Sequence, residues 1–156
     1  MSWWLWPTTA DVGIKAFSDN PSKLMDELIL GMQSIVLSEP ESINSDQIIL
    51  GEIECNFAID RTLDRLAVRI LEEVLYNCEV NNRWIISSKT MFSKDMVHII
   101  FYYVNSDLIK RDVEIKAITR HSLEFKELNN GESIPSEKEI PEMIGPGWYS
   151  SVIFDL

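Results

Sequence analysis

Apolar side chains first recur at helical spacing between Leu24 and Val36, where Leu24, Met25, Leu28, Ile29, Met32, Ile35 and Val36 form one stripe. Such a stripe predicts a helix that buries one side. Asn20 and Pro21 mark its start, an Asx cap followed by a proline whose missing N–H costs nothing at the first helical position. Pro40 marks its end. A second stripe, Leu63, Leu66, Ala67, Ile70, Leu71, Val74, Leu75 and Cys78, predicts another helix. Asp60 is placed to cap it, and Asn81-Asn82 breaks it.

Elsewhere the period falls to two. Across residues 47–57, Ile49, Gly51, Ile53, Cys55 and Phe57 alternate with Leu50, Glu52, Glu54 and Asn56, the mark of a half-buried strand. Short strands are predicted at 2–6 and 14–17, then at 84–92, 96–104, 113–119, 122–128 and 148–156. Two amphipathic helices among about seven strands predict one α+β domain over residues 1–156, with the helices packed on one face of a mainly antiparallel sheet. Residues 129–147 carry Gly131, Pro135, Pro141, Gly145, Pro146 and Gly147 and no periodicity, which predicts a mobile loop.

Charge narrows the function. The chain has 25 acidic and 14 basic residues, a formal net charge of −11. Nucleic-acid affinity draws chiefly on Lys and Arg neutralising phosphates, and the only adjacent basic pair is Lys110-Arg111. Direct RNA binding is not expected. An acidic surplus suits cations and basic protein surfaces instead. Cys55 and Cys78 sit in apolar segments without a CxxC or a His cluster, so both are expected as reduced, buried side chains and not as zinc ligands. The first seven residues lack a basic n-region, and no run approaches the ~20 apolar residues of a membrane span. A cytoplasmic protein without membrane contact is expected.

Three segments carry candidate chemistry. Val152, Ile153 and Phe154 are apolar on both faces of the last strand, which predicts a strand inside the sheet. Asp155 and the carboxylate of Leu156 follow at once. Two carboxylates held together repel one another unless a cation compensates, and oxygen-only ligands favour a hard ion such as Ca²⁺ or Mg²⁺. Read alone, the same pattern more often marks a frayed end in water. Asp11, between Thr8-Thr9-Ala10 and Val12-Gly13, reads as turn chemistry or as another oxygen ligand. In the segment Glu114 to His121, alternation sets Glu114, Lys116 and Ile118 against Ile115, Ala117 and Thr119, and His121 is able to titrate near neutral pH. His98 reads as structural. No GxSxG elbow, P-loop, GxGxxG or HExxH occurs, so no nucleophile arrangement emerges.

Together these segments resemble the archease family. Thr9-Ala10-Asp11-Val12-Gly13 is similar to its His-Thr-Ala-Asp-x-Gly box, with Thr8 in the place of the His. Lys116-Ala117-Ile118-Thr119-Arg120-His121 resembles its Lys-Ala-x-Thr-Tyr-His segment, with Arg120 in the place of the Tyr. Trp148 to Leu156 resembles its final strand, and the 129–147 connection is longer than the family's. The resemblance implies a divalent cation, Ca²⁺ before Mg²⁺, on Asp11, Asp155 and the Leu156 carboxylate, with Lys116 and His121 flanking that tip. It implies a non-catalytic protein cofactor that promotes guanylylation and multiple turnover of a GTP-dependent tRNA-splicing RNA ligase. The competing classes are a general chaperone of nucleic-acid-processing proteins and a small metal-dependent hydrolase.

Overall fold

A computed structural model describes residues 2–9, 11–37 and 49–156. Strands β1 (Trp3–Pro7) and β2 (Val12–Ser18) precede helix α1 (Pro21–Val36), and β3 (Gly51–Ala58) precedes helix α2 (Leu63–Glu79). Then come β4 (Arg83–Phe92), β5 (Met96–Asn105), β6 (Ala117–Leu128), β7 (Ser133–Ile134), β8 (Met143–Ile144) and β9 (Gly147–Asp155). Every strand pairing among the described residues is antiparallel. The architecture is α+β, as the two hydrophobic periods predict. No helix among the described residues is long and apolar enough to cross a membrane.

Where one sheet was expected, the strands divide between two. One has the order β1-β2-β9-β6, the other β3-β5-β4, and β7 pairs with β8 as a small hairpin. Both sheets contribute to one hydrophobic core, because α1 contacts strands of both and α2 lies against β6 and β4. Ile14, Phe101, Phe154, Leu28 and Ile70, from three strands and the two helices, are all fully buried in it.

The local signals act as physics requires. Asn20 caps α1 by accepting a hydrogen bond from the Lys23 N–H at 2.8 Å, and Pro21 opens the helix. Helix α2 starts from Thr62 instead of Asp60, and Asp60 pairs with Arg69 at 3.5 Å. Asn82 ends the turn after α2 in the left-handed region at φ 54°, which Asn tolerates better than most residues. Pro40 and the first two residues of the 47–57 strand lie outside the described residues.

Two further expectations change. Residues 113–116 precede the sheet, and the two strands read from 113–128 are one, β6, with a bulge between Thr119 and Glu124. A bulge frees main-chain groups from the ladder. Buried Ser151 donates its hydroxyl to the Ser122 carbonyl and buried Ser150 to that of Glu124, both at 2.6 Å. The segment 129–147 is not a patternless loop. It forms the β7–β8 hairpin and seats Ile140 and Met143 beside Leu128 and Tyr149 in a second small core that also holds Trp4, Trp6 and Phe17.

Candidate functional site

Strand β9 is central in its sheet, flanked by β2 and β6. Its position explains why Val152, Ile153 and Phe154 are buried on both faces. It also decides what meets at its end. Val12 pairs with Phe154, so continuing that register by one residue sets Asp11 across from Asp155. Directly opposed residues of antiparallel strands stand about 4.5–5.5 Å apart at Cβ and share a face. On that register two acids from distant parts of the chain come to one corner of the sheet, Asp11 half-buried and Asp155 exposed.

The turn that presents Asp11 closes on itself. Thr8 donates its hydroxyl to the Asp11 carbonyl at 2.8 Å, and the Asp11 N–H donates back to the Thr8 hydroxyl at 3.2 Å. The residue that departs from the family box thus holds the acid's main chain. Behind it, Gly13 meets a steric limit: a Cβ there would stand 2.8 Å from the Val152 carbonyl oxygen and 3.1 Å from the Trp6 ring. Glycine leaves the room that ring takes beside the strand.

Lys116 reaches the same corner through its backbone, since its N–H donates to the Asp155 carbonyl at 2.8 Å. With Glu114, Ala117 and Ile118 it also lines a cleft of about 440 Å³ against Leu75, Tyr76 and Glu79 of α2. His121 is exposed within the β6 bulge, level with Val152. Three residues of strand separate that level from Asp155, about 10 Å. The corner therefore gathers Asp11, Asp155 and Leu156, with Lys116 adjoining and His121 set back.

The donors at this corner are oxygens, the set a hard divalent cation takes. Two opposed carboxylates gain most from such an ion, because it removes their mutual repulsion. Among the described residues no group of three or more His, Cys, Asp or Glu side chains is gathered closely enough to hold a metal. The corner brings two side-chain carboxylates, fewer than such a group.

Other titratable groups are explained by structure. Cys78 is buried and accepts from the Gln33 amide at 3.4 Å, and burial raises its thiol pKa, as it does for half-buried Cys55. His98 Nδ1 lies 2.8 Å from the Asn56 side-chain oxygen across β3 and β5. Sequence reasoning missed Asp26, whose carboxylate joins α1 to β4 by accepting from the Ser88 and Thr90 hydroxyls, each at 2.7 Å. Burial raises its pKa and these donors partly offset the rise. Its place at an i+2 offset from Leu24 and before Leu28 marked it as beside the apolar stripe, but nothing in the sequence named its partners.

The sequence pattern of the Archease protein family (MTH1598/TM1083) matches residues 3–156. No curated protein matches the chain at a significant level. Among solved structures, the solution structure of Methanobacterium thermoautotrophicum protein 1598 is similar at a TM-score of 0.61 and 18% identity, with 99% of each chain covered. At that identity the likeness speaks for the fold, and it agrees with the α+β arrangement above. The family pattern spans all three sequence segments and nearly the whole chain. The chain belongs to the archease protein family.

Proposed function

We propose that this protein is a metal-binding cofactor of a GTP-dependent tRNA-splicing RNA ligase, which it activates by promoting guanylylation and multiple turnover while catalysing nothing itself. The observation that supports the reading is the β2–β9 ladder, whose last pair Val12–Phe154 leaves Asp11 and Asp155 as the next residue on each strand, in a chain of this family. Asp11, Asp155 and a main-chain oxygen of Leu156 would hold Ca²⁺, or Mg²⁺ in its place. When bound, the ion supplies positive charge at an otherwise acidic tip. The chain's own residues do the rest: the Thr8 turn fixes Asp11, the β9 ladder fixes Asp155, and Lys116 offers a cation beside them.

Electrostatics suits this role. A chain of net charge −11 is drawn to a basic, phosphate-binding cleft of a partner and has no need to hold RNA. The cytoplasm is where such a ligase partner would be met.

Ligase guanylylation by GTP, measured with and without this protein, tests the reading. Wild type should stimulate it, Asp11→Ala and Asp155→Ala should abolish the stimulation with near-ultraviolet circular dichroism unchanged, and Lys116→Ala should weaken it. Residues added after Leu156 should weaken Ca²⁺ binding, read by calorimetry, more than an N-terminal tag does. Full stimulation by both folded Asp variants would remove the corner from the mechanism. Substrate turnover by the purified protein alone would favour a metal-dependent hydrolase instead.

A further inference from the structure

The fold assembles a basic cleft that the linear sequence hides. Arg61 lies just before α2, Arg65 and Arg69 follow at intervals of four on the helix, and Arg120 comes from the β6 bulge. A spacing of four puts helical side chains on one face. All four arginines line one cleft of about 310 Å³, together with Asp60, Val68 and Glu72. Asp60 is taken up by Arg69 at 3.5 Å. The guanidinium groups of Arg61, Arg65 and Arg120 make no hydrogen bond or ion pair with any described residue.

Such a gathering is costly without a counter-charge. The chain carries 14 basic residues against 25 acidic ones, yet four arginines here face two acids, one already paired. Like charges around one hollow repel unless an anion enters. Guanidinium forks match phosphate oxygens in pairs, and arginine serves that geometry better than lysine. The Ser150 and Ser151 hydroxyls that satisfy the bulge carbonyls keep this stretch of β6, and so Arg120, at a fixed place against α2.

We propose that this cleft binds a compact phosphate-bearing anion through Arg61, Arg65, Arg69 and Arg120. Its size lies at the lower end of small-ligand sites. A long polyanion would have to run out over a strongly acidic surface, whereas a diphosphate group fits inside the basic hollow. Free diphosphate and the phosphates of a nucleotide share this chemistry. The site is separate from the Asp11–Asp155 corner, and the proposal stands whether or not that corner holds a metal.

Calorimetric titration with inorganic pyrophosphate and, in a second arm, with a nucleoside triphosphate tests the proposal at fixed ionic strength. Wild type should bind pyrophosphate saturably and one-to-one. Binding of both probes at one site identifies the phosphates as the recognised group, and a much tighter nucleotide identifies it as the source. Arg65→Gln and Arg120→Gln should each weaken binding about tenfold, Arg120→Lys should weaken it less, and Lys94→Gln, in the β4–β5 turn, should leave it unchanged. These side chains are exposed, so unaltered melting should accompany the loss. Absence of saturable binding at millimolar pyrophosphate would overturn the proposal. So would equal weakening by Lys94→Gln, or tighter binding of a single-stranded RNA oligonucleotide than of pyrophosphate.

Discussion

The two faces of the four-stranded sheet are covered by different means. On the inner face, Ile14, Ala16, Val152 and Phe154 are fully buried in the main core, packed with the apolar stripe of α1. On the outer face, Tyr149 and Phe17 lie under the 129–147 segment with Ile140, Met143 and two tryptophans of β1. Lys15 is buried there too. Its ammonium sits 4.2 Å from the centre of the Trp6 ring and 3.1 Å from Glu137, which also accepts from the Trp6 indole N–H at 3.3 Å. A helix covers a sheet with a continuous stripe. An irregular segment covers it with a few apolar anchors and one charged clasp. The inner cover should therefore hold the fold, and the outer cover should fix one surface of it.

Two truncations sharpen that contrast. Phe154→Ala, on the inner face, should cost about 3–5 kcal/mol, the range for a large aromatic removed from a closed core. Chemical denaturation should show one cooperative transition moved to lower denaturant. Ile140→Ala removes a buried anchor of the outer cover and should cost about 2 kcal/mol, the low end for such a change. Hydrogen exchange should then quicken in residues 129–147 while α1 stays protected. Equal, global destabilisation by both variants would show that the two covers fold as one unit.

The same contrast explains what was legible in the sequence. Both helices were plain because their stripes run for many turns and Asn20-Pro21 names one start. The central place of β9 was plain because Val152, Ile153 and Phe154 are apolar in succession, which only a strand covered on both faces requires. The division into two sheets was not visible, since alternation tells which face a residue takes and not which neighbour a strand pairs with. Residues 129–147 were misread because isolated anchors such as Ile140 and Met143 have no period. At the candidate site, Asp155 was singled out by the apolar run before it and Asp11 by its turn, and the resemblance joined them; that β2 pairs with β9 was not visible in the sequence. The start of β6 was not legible: residues 113–116 alternate as a strand does, with Ile115 buried between exposed Glu114 and Lys116, yet they lie outside the ladder. Arg61, Arg65, Arg69 and Arg120 escaped notice because no two of them are adjacent in the chain.

The smallest expected effect is a difference of sign with pH. On the outer face, the Lys15 ammonium and then the Trp6 N–H hold the Glu137 carboxyl below its ordinary 4.5. The folded state thus binds that proton less readily than the unfolded chain, so the clasp's stability is present above 4.5 and lost as pH falls through the lowered value. On the helix side, burial raises the Asp26 carboxyl above 3.8, with the Thr90 and Ser88 donors opposing the rise. Here the folded state binds the proton more readily, so its contribution is present below 3.8 and lost as pH climbs through the raised value. Denaturation midpoints of wild type, Glu137→Gln and Asp26→Asn, taken from neutral pH to below 3.8, separate the two. The deficit of Glu137→Gln relative to wild type should be widest at neutral pH and close on acidification. Asp26→Asn should move the opposite way, gaining on wild type as pH rises, because the amide is spared the cost of burying a charge. Parallel curves for the two variants would mean that both carboxylates feel the same surroundings, and the distinction between a stripe-packed face and a clasped one would fail at its most local point.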